Sequence, residues 1–214
     1  MKETKKNILD TSRKLFNDLG YSNVTIRMIA NELKMSSGNL NYHFRKREDI
    51  LEGLYFEMVE VFDERVKELN DKIISLAYVK RSVMSSMERM LKYRFFWTDL
   101  YFLLKSNQRI RTHFEQVKLE RKAGYKFLFD FLIQTNIMKK SPFTEGYAVL
   151  IERMIDYGNT WLYASLLYTV REDNIDVTVD YSFRLLSMIY PYLTNEGQRE
   201  FRAIFPSFFP HLTK

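Results

Sequence analysis

Along the first 47 positions apolar residues recur at intervals of three and four, the spacing that brings side chains onto one face of an α-helix. Ile8, Leu15, Phe16 and Leu19, with small Ser12 among them, form one stripe, and Gly20 stands where such a helix would stop. Thr25 is placed to cap a second helix, whose Ile26, Ile29, Ala30 and Leu33 follow at i, i+3, i+4 and i+7. Lys34 and Met35 break the pattern, Ser36 can cap again, and Leu40 and Phe44 turn back toward the same core from a third short helix. Two short helices across a tight turn, with small Ala30 at their crossing, predict a helix-turn-helix.

Past residue 47 the pattern stays helical. Ile50, Leu51, Leu54, Tyr55, Met58, Val61, Phe62, Val66 and Leu69 make one long apolar stripe. Further helical segments are predicted over about 74–105, 108–136, 144–170 and 177–194, with a shorter one near 196–205, and "SNQR", "KKSPFT" and "REDNI" separate them. No strand alternation competes. With seven glycines and four prolines there is no flexible linker, so the fourth helix must be shared between two parts. The expected fold is all-α: a three-helix helix-turn-helix domain over 1–47 and a larger helical domain over 48–214.

Composition narrows the function. Hydrophobic content of 46% with 28% charged residues describes an ordinary soluble chain that can bury a core. No apolar run is long enough for a membrane span, and "MKETKKNILD" lacks the apolar centre of a secretory signal, so a cytoplasmic protein is expected. Without cysteine there is no disulfide, thiolate nucleophile or cysteine metal site. His43, His113 and His211 lie far apart in sequence, no His-Glu-x-x-His occurs, and no glycine-rich loop follows a strand. No catalytic residue, metal or cofactor is expected, and the chain is not read as an enzyme.

The net charge of +6 is localised. Residues 1–47 hold ten Lys or Arg against four acids, and the remaining 167 residues carry 23 of each sign. The excess lies where a polyanion would be gripped, with a basic solvated face as the alternative. The helix-turn-helix supplies the geometry, since its second helix enters the DNA major groove. Ser36, Ser37 and Asn39 stand at the N-terminal end of that helix, where base edges are reached, and Gly38 has no side chain to hold the backbone away. A turn later Tyr42 and His43 can donate to phosphate oxygens, and Lys46 and Arg47 add charge. For His43 a capping or packing role is the competing reading.

The stretch "TIRMIANELKMSSGNLNYHFRKREDIL" resembles the N-terminal domain of the TetR/AcrR family of bacterial transcriptional regulators, in its Thr-x-Arg-x-Ile-Ala, Ser-x-Gly-x-Leu and His-Phe landmarks. The resemblance runs over residues 4–55 and implies DNA contact by Thr25, Arg27, Ser36 to Asn39, Tyr42, His43, and Lys46 or Arg47. Two positions depart from it. Lys34 stands in the turn where the family commonly has glycine, and a non-glycine residue in the left-handed region costs about 1 kcal/mol. Asn41 replaces a usual tyrosine, and its shorter side chain reaches a nearer phosphate or a base edge.

The larger part is rich in aromatic residues, as in "YRFFWTDLYFLL", "GYKFLFDFLI" and "DYGNTWLYASLLY". Such residues commonly serve as plain packing. Tyrosine and tryptophan also give an apolar cavity its polar tips. Tyr147, Ile151, Met154, Tyr157 or Gly158, and Trp161 fall on one stripe that is expected to face a ligand pocket. The resemblance implies that the middle helices enclose an effector site, which adds Phe95, Trp97, Tyr101 and Tyr125. Asp99, Glu152 and Asp156 are expected to be buried and paired, with Arg94 and Arg153 as available partners. Because one reader helix makes too little contact for a specific site, a homodimer on two half-sites of double-stranded DNA is expected. Resemblance places its interface on the segments near 144–170 and 177–194. The functional expectation is a ligand-responsive regulator, read as a repressor that a small, largely apolar effector releases from a palindromic operator. The alternative is a DNA-binding protein whose helical part binds another protein.

Overall fold

The computed structural model describes residues 2–67, 74–167 and 176–210. Leu69, the "REDNI" separator, His211 and the side chains of Val61, Phe62 and Val66 lie outside the described residues. Eleven α-helices follow one another among them: α1 Lys2–Leu19, α2 Ile26–Glu32, α3 Ser37–His43, α4 Arg47–Lys67, α5 Leu76–Lys92, α6 Arg94–Thr98, α7 Leu100–Ser106, α8 Gln108–Gln134, α9 Gly146–Leu167, α10 Val177–Ser187 and α11 Asn195–Ile204. The protein is all-α, with a helix-turn-helix at its N-terminal end, and its described residues form no strand beyond an isolated bridge between Met138 and Leu193. No helix among them is long and apolar enough to cross a membrane. Two compact units divide the chain, one taking 2–67 with 89–113 and the other 74–88, 114–167 and 176–210.

In the first unit Ile8, Phe16, Val24, Ile29, Leu40, Ile50 and Leu54 are fully enclosed, and small Ser12 and Ala30 are buried with them. The apolar stripes therefore converge as their periodicity predicts. Leu19, on the last turn of α1, is 44% exposed, and Phe44 is half-buried. Both caps form: the Met28 N–H donates to Thr25 Oγ1 at 3.3 Å, and the Asn39 N–H to Ser36 Oγ at 3.1 Å. Each satisfies one of the amide groups a helix start leaves without a partner. Lys34 adopts φ +53° in the turn between α2 and α3. Relief of that conformation by Lys34→Gly is expected to stabilise the protein by about 1 kcal/mol, offset in part by glycine's greater freedom when unfolded. A thermal melt that shows no gain would contradict the turn geometry.

One predicted segment is broken. The expected helix over 74–105 is three helices, because Tyr93 and Asp99 leave helical geometry at ψ +40° and +16°. Tertiary hydrogen bonds compensate for those the helix loses: Asn17 Nδ2 donates to the Lys92 carbonyl at 2.9 Å, and the Phe95 N–H donates to Asn17 Oδ1 at 3.1 Å. Around this clasp Phe95 packs on Phe16, Arg94 pairs with Asp18 at 2.8 Å, and Glu57 accepts from Arg13 and from the Tyr93 hydroxyl. Further along, Asn107 donates to Glu52, and the Tyr55 hydroxyl shares a 2.9 Å hydrogen bond with His113 Nδ1. Residues 89–113 are thus built into the same unit as the helix-turn-helix.

The second unit centres on α9, whose Ile151, Met154, Ile155, Trp161 and Leu162 are buried together with Tyr181, Leu185 and Leu186 of α10 and Phe129 and Leu132 of α8. The predicted helix to 194 ends at Ser187, and Pro191, which cannot donate an amide hydrogen, lies in the 3-10 turn Tyr190–Tyr192 that follows. At the C-terminal end Phe183, Phe201, Phe205, Phe208 and Phe209 form an aromatic cluster, with Phe183 stacked on Phe208 at 3.8 Å. Lys80 of α5 donates to the Ile204 carbonyl and lies over the Phe205 ring. Burial there pushes its ammonium pKa down.

Candidate nucleic-acid interface and helical-domain site

The exposed side of α2 and α3 carries the predicted readers. Thr25, Arg27, Ser36, Ser37, Gly38, Asn39, Asn41 and Tyr42 are all exposed, while Leu40 between them is enclosed. One short helix thus anchors itself by a single leucine and presents its other faces outward. Ser36 and Thr25 accept an amide hydrogen through their hydroxyl oxygens as caps, and each hydroxyl proton stays available to donate. Tyr42 is 76% exposed and meets the half-buried His43 edge to face at 5.3 Å. This arrangement holds a phenol and an imidazole side by side at the end of α3, where phosphate contacts position a reader.

The three consecutive basic residues do not act alike. Arg45 and Lys46 are exposed. Arg47, expected among the phosphate contacts, turns inward: its Nη1 donates to the carbonyls of Tyr21 at 3.1 Å, Ser22 at 3.4 Å and Val24 at 2.9 Å, and its guanidinium lies 4.2 Å from the Tyr21 ring centroid. The α1–α2 connection has carbonyls without helical partners, and a planar guanidinium satisfies several at once. Lys46 also contributes backbone, since its N–H is accepted by Asp49 Oδ2 at 3.1 Å at the start of α4.

The aromatic candidates separate between the two units. Phe95, Trp97 and Tyr101 belong to the first, where Phe95 and Trp97 are buried and Tyr101 is 79% exposed. Tyr125, Tyr147, Met154, Tyr157 and Trp161 belong to the second. There Met154 and Trp161 are buried, and the three tyrosines are half-buried. Trp161 packs on Tyr181 at 5.2 Å, Tyr147 bridges Phe129 and Tyr192, and the Tyr147 hydroxyl donates to the Lys139 carbonyl. Tyr125 lies beside Arg121, which donates to Asn159 Oδ1 at 2.6 Å, and burial pushes the Tyr125 phenol pKa up against the pull of that guanidinium.

The carboxylate pairings differ from expectation. Arg94 pairs with Asp18, not Asp99, and burial pushes the Asp99 carboxyl pKa up against the pull of the Tyr21 backbone. Glu152 is not buried as expected: it lies at the surface between Lys122 at 2.7 Å and Lys118 at 3.2 Å, whose hydrogen bonds hold it below the usual carboxylate range. Asp156 is exposed. Helical periodicity gave the buried stripe of this helix, and these two carboxylates lie off it. Among the described residues no cluster of His, Asp and Glu could hold a metal ion.

Sequence and structure comparisons agree with this architecture. A family model described as bacterial regulatory proteins, tetR family, matches residues 8–54, and one described as bacterial transcriptional repressor matches residues 57–201. An HTH-type transcriptional regulator of Staphylococcus aureus (strain USA300) is 27% identical over 130 residues, which cover 61% of this chain and 65% of that protein's length. The crystal structure of a TetR-family transcriptional regulator from Marinobacter aquaeolei VT8 superposes with a TM-score of 0.84 at 26% identity, over 96% of this chain and 98% of its own. A transcriptional regulator from Saccharomonospora viridis, in complex with choline, shares the fold with a TM-score of 0.67 at 20% identity, over 91% of this chain and 100% of its own. These relatives are named as regulators of transcription, not as enzymes. With an exposed reader on a helix-turn-helix and family matches that run on through the larger helical region, the chain belongs to the TetR family of bacterial transcriptional regulators.

Proposed function

We propose that the protein is a cytoplasmic, DNA-binding repressor that acts as a homodimer and is released from a palindromic operator by a small, largely apolar effector. In this reading residues 1–47 are the DNA-binding domain and 48–214 the effector-binding and dimerisation domain. The observation that carries it is α3, which buries Leu40 and leaves Ser36, Ser37, Gly38, Asn39, Asn41 and Tyr42 exposed together. A helix that presents small polar groups at its start, ahead of exposed Arg45 and Lys46, suits a groove lined by phosphates.

Dimerisation has its own support on α9. Val149, Arg153, Asp156, Thr160, Tyr163 and Leu167 recur at i, i+4, i+7, i+11, i+14 and i+18, and all are exposed. These positions line one exposed face of α9, a surface that the same face of a second chain can cover when the two helices pair about a two-fold axis. An open groove of about 600 Å³ between α9 and residues 188–192 lies along the same face. For the effector, support comes from the aromatic interior around Trp161 and Tyr181. The choline bound by the S. viridis relative is a cation, whereas here Arg184 already lies 5.3 Å from the Tyr181 ring centroid. A neutral, apolar effector fits that neighbourhood better than a second cation does.

Selection from a random duplex pool, with salt dependence recorded and mass measured in solution, tests the reading. The expected result is an enriched palindrome bound by two chains, with affinity that falls steeply with salt and collapses in Tyr42→Ala or Lys46→Ala. Enrichment of no sequence would refute the DNA reading, and a monomer at working concentration would refute the dimer. The exposure of Phe127 and Phe143, at 64% and 59%, favours a protein partner as the second reading for the helical part.

A further inference from the structure

The first unit has a second basic feature outside the helix-turn-helix face. A cavity of about 510 Å³ opens beside Tyr42 and His43, and Lys5 of α1, Arg45 of the α3–α4 connection and Arg109 of α8 line it. These three cations come from distant parts of the sequence. Two are backed by aromatic rings, with the Lys5 ammonium 5.8 Å from the Phe44 centroid and the Arg109 guanidinium 4.8 Å from that of Phe56. Backing of this kind restricts a long side chain in advance, so less freedom is lost when its charged end engages a partner.

The two carboxylates that share the cavity are already engaged. Asp49 accepts the Lys46 N–H, and Glu52 accepts from Asn107 Nδ2 at 3.0 Å and Arg109 Nη1 at 2.7 Å. That bond uses one of the five N–H donors of Arg109, whose side chain is 69% exposed against 23% for Glu52. Glu52 therefore acts as a tether that fixes the guanidinium with most of its fork free. What remains at the rim is Lys5, Arg45 and Arg109, next to the two groups expected to touch phosphate.

We propose that Lys5, Arg45 and Arg109 bind the DNA phosphate backbone beyond the bases that α3 faces. The proposal rests on the DNA-binding reading above. It makes the first turn of α8 part of the DNA surface, which neither the helix-turn-helix motif nor the expected site residues include. Contacts of this kind position the duplex and carry no base information.

The test is the slope of log affinity against log salt for the full-length protein on the random duplex pool, each variant first confirmed folded by circular dichroism. Lys5→Gln, Arg45→Gln and Arg109→Gln are each expected to make the slope shallower by about 0.9 per bound reader, with the enriched sequence unchanged. Arg109→Lys keeps the charge and should restore most of the slope even if the Glu52 tether is disturbed. Lys14→Gln serves as the control, since Lys14 is exposed and lies half a turn around α1 from Lys5. Wild-type slopes in all three glutamine variants would overturn the proposal and leave the DNA reading intact, whereas a wild-type protein that binds no duplex would overturn both. If inorganic phosphate at fixed ionic strength raises the wild-type melting temperature but not that of Arg109→Gln, and the DNA slopes do not move, the site takes a free anion and the proposal fails.

Discussion

Gly38→Leu should abolish specific DNA binding while leaving the protein at least as stable as before. Gly38 is exposed in the first turn of α3, and a Cβ built there meets only Ser36 Oγ at 3.9 Å, an ordinary contact. Within a helix leucine is favoured over glycine by somewhat under 1 kcal/mol, so the melting temperature should rise slightly. On the DNA side the new side chain would stand where the backbone has to approach the groove. Separation of base edges from their readers costs about 2 kcal/mol per half-site, which amounts to roughly a thousandfold loss when two readers bind together. Opposite signs in the two measurements distinguish loss of a binding surface from loss of fold. Normal affinity in a folded Gly38→Leu protein would show that α3 does not enter the groove by this end.

Gly197→Ala should be among the most damaging single changes in the second unit. Gly197 is buried in the first turn of α11, and a Cβ there would collide with the backbone carbonyl oxygen of Ile137. Neither side can give way readily. The Thr194 N–H donates to that same carbonyl at 3.0 Å, Thr194 Oγ1 donates to the Asn136 carbonyl at 2.8 Å, and the Lys139 N–H donates to the Tyr192 carbonyl at 2.8 Å. The segment 136–139 is thus fixed against 192–194 by two backbone hydrogen bonds and one from the Thr194 hydroxyl, and α11 starts from that junction with Phe201 and Phe205 behind it in the core. Relief of the clash requires α11 to shift, at a cost of about 3 kcal/mol, the upper end of what overpacking brings. Differential scanning calorimetry should register this as a fall of roughly 6 to 12 °C for a chain of this size. An unshifted transition would mean that α11 does not seat against Ile137 as described.

Local signals made the first three helices readable. Thr25 and Ser36 are capping residues in front of apolar repeats, and the repeat lapses at Lys34 and Met35 between them, so three short elements follow from neighbouring residues alone. The interruption of the segment after α5 could not be read in this way. Nothing near Tyr93 or Asp99 forbids a helix; distant Asn17 supplies the competing hydrogen bonds. The inward turn of Arg47 was unreadable for a similar reason, since the three carbonyls it meets belong to a connection that lies more than twenty residues upstream. The positive rim of Lys5, Arg45 and Arg109 was hidden by the same separation, though the clustering of charge in the first fifth of the chain pointed toward it. On α9 the buried stripe was legible from its period, while the surface position of Glu152 was fixed by Lys118 and Lys122 on a different helix.

The clasp at Asn17 limits how this protein can be re-engineered. A DNA-reading part joined to the rest of its chain through one helix can be transplanted with a single cut. Here a cut late in α4 would part every one of these pairs: Asn17 and Asp18 hold Lys92, Arg94 and Phe95, Glu57 holds Tyr93, and Glu52 holds Asn107 and Arg109. A transplanted reader would meet foreign side chains at each of these points. The DNA-reading unit of this chain is portable only as a two-piece cassette, the first four helices together with residues 89–113, and a chimera needs three junctions: after α4, before residue 89 and after residue 113.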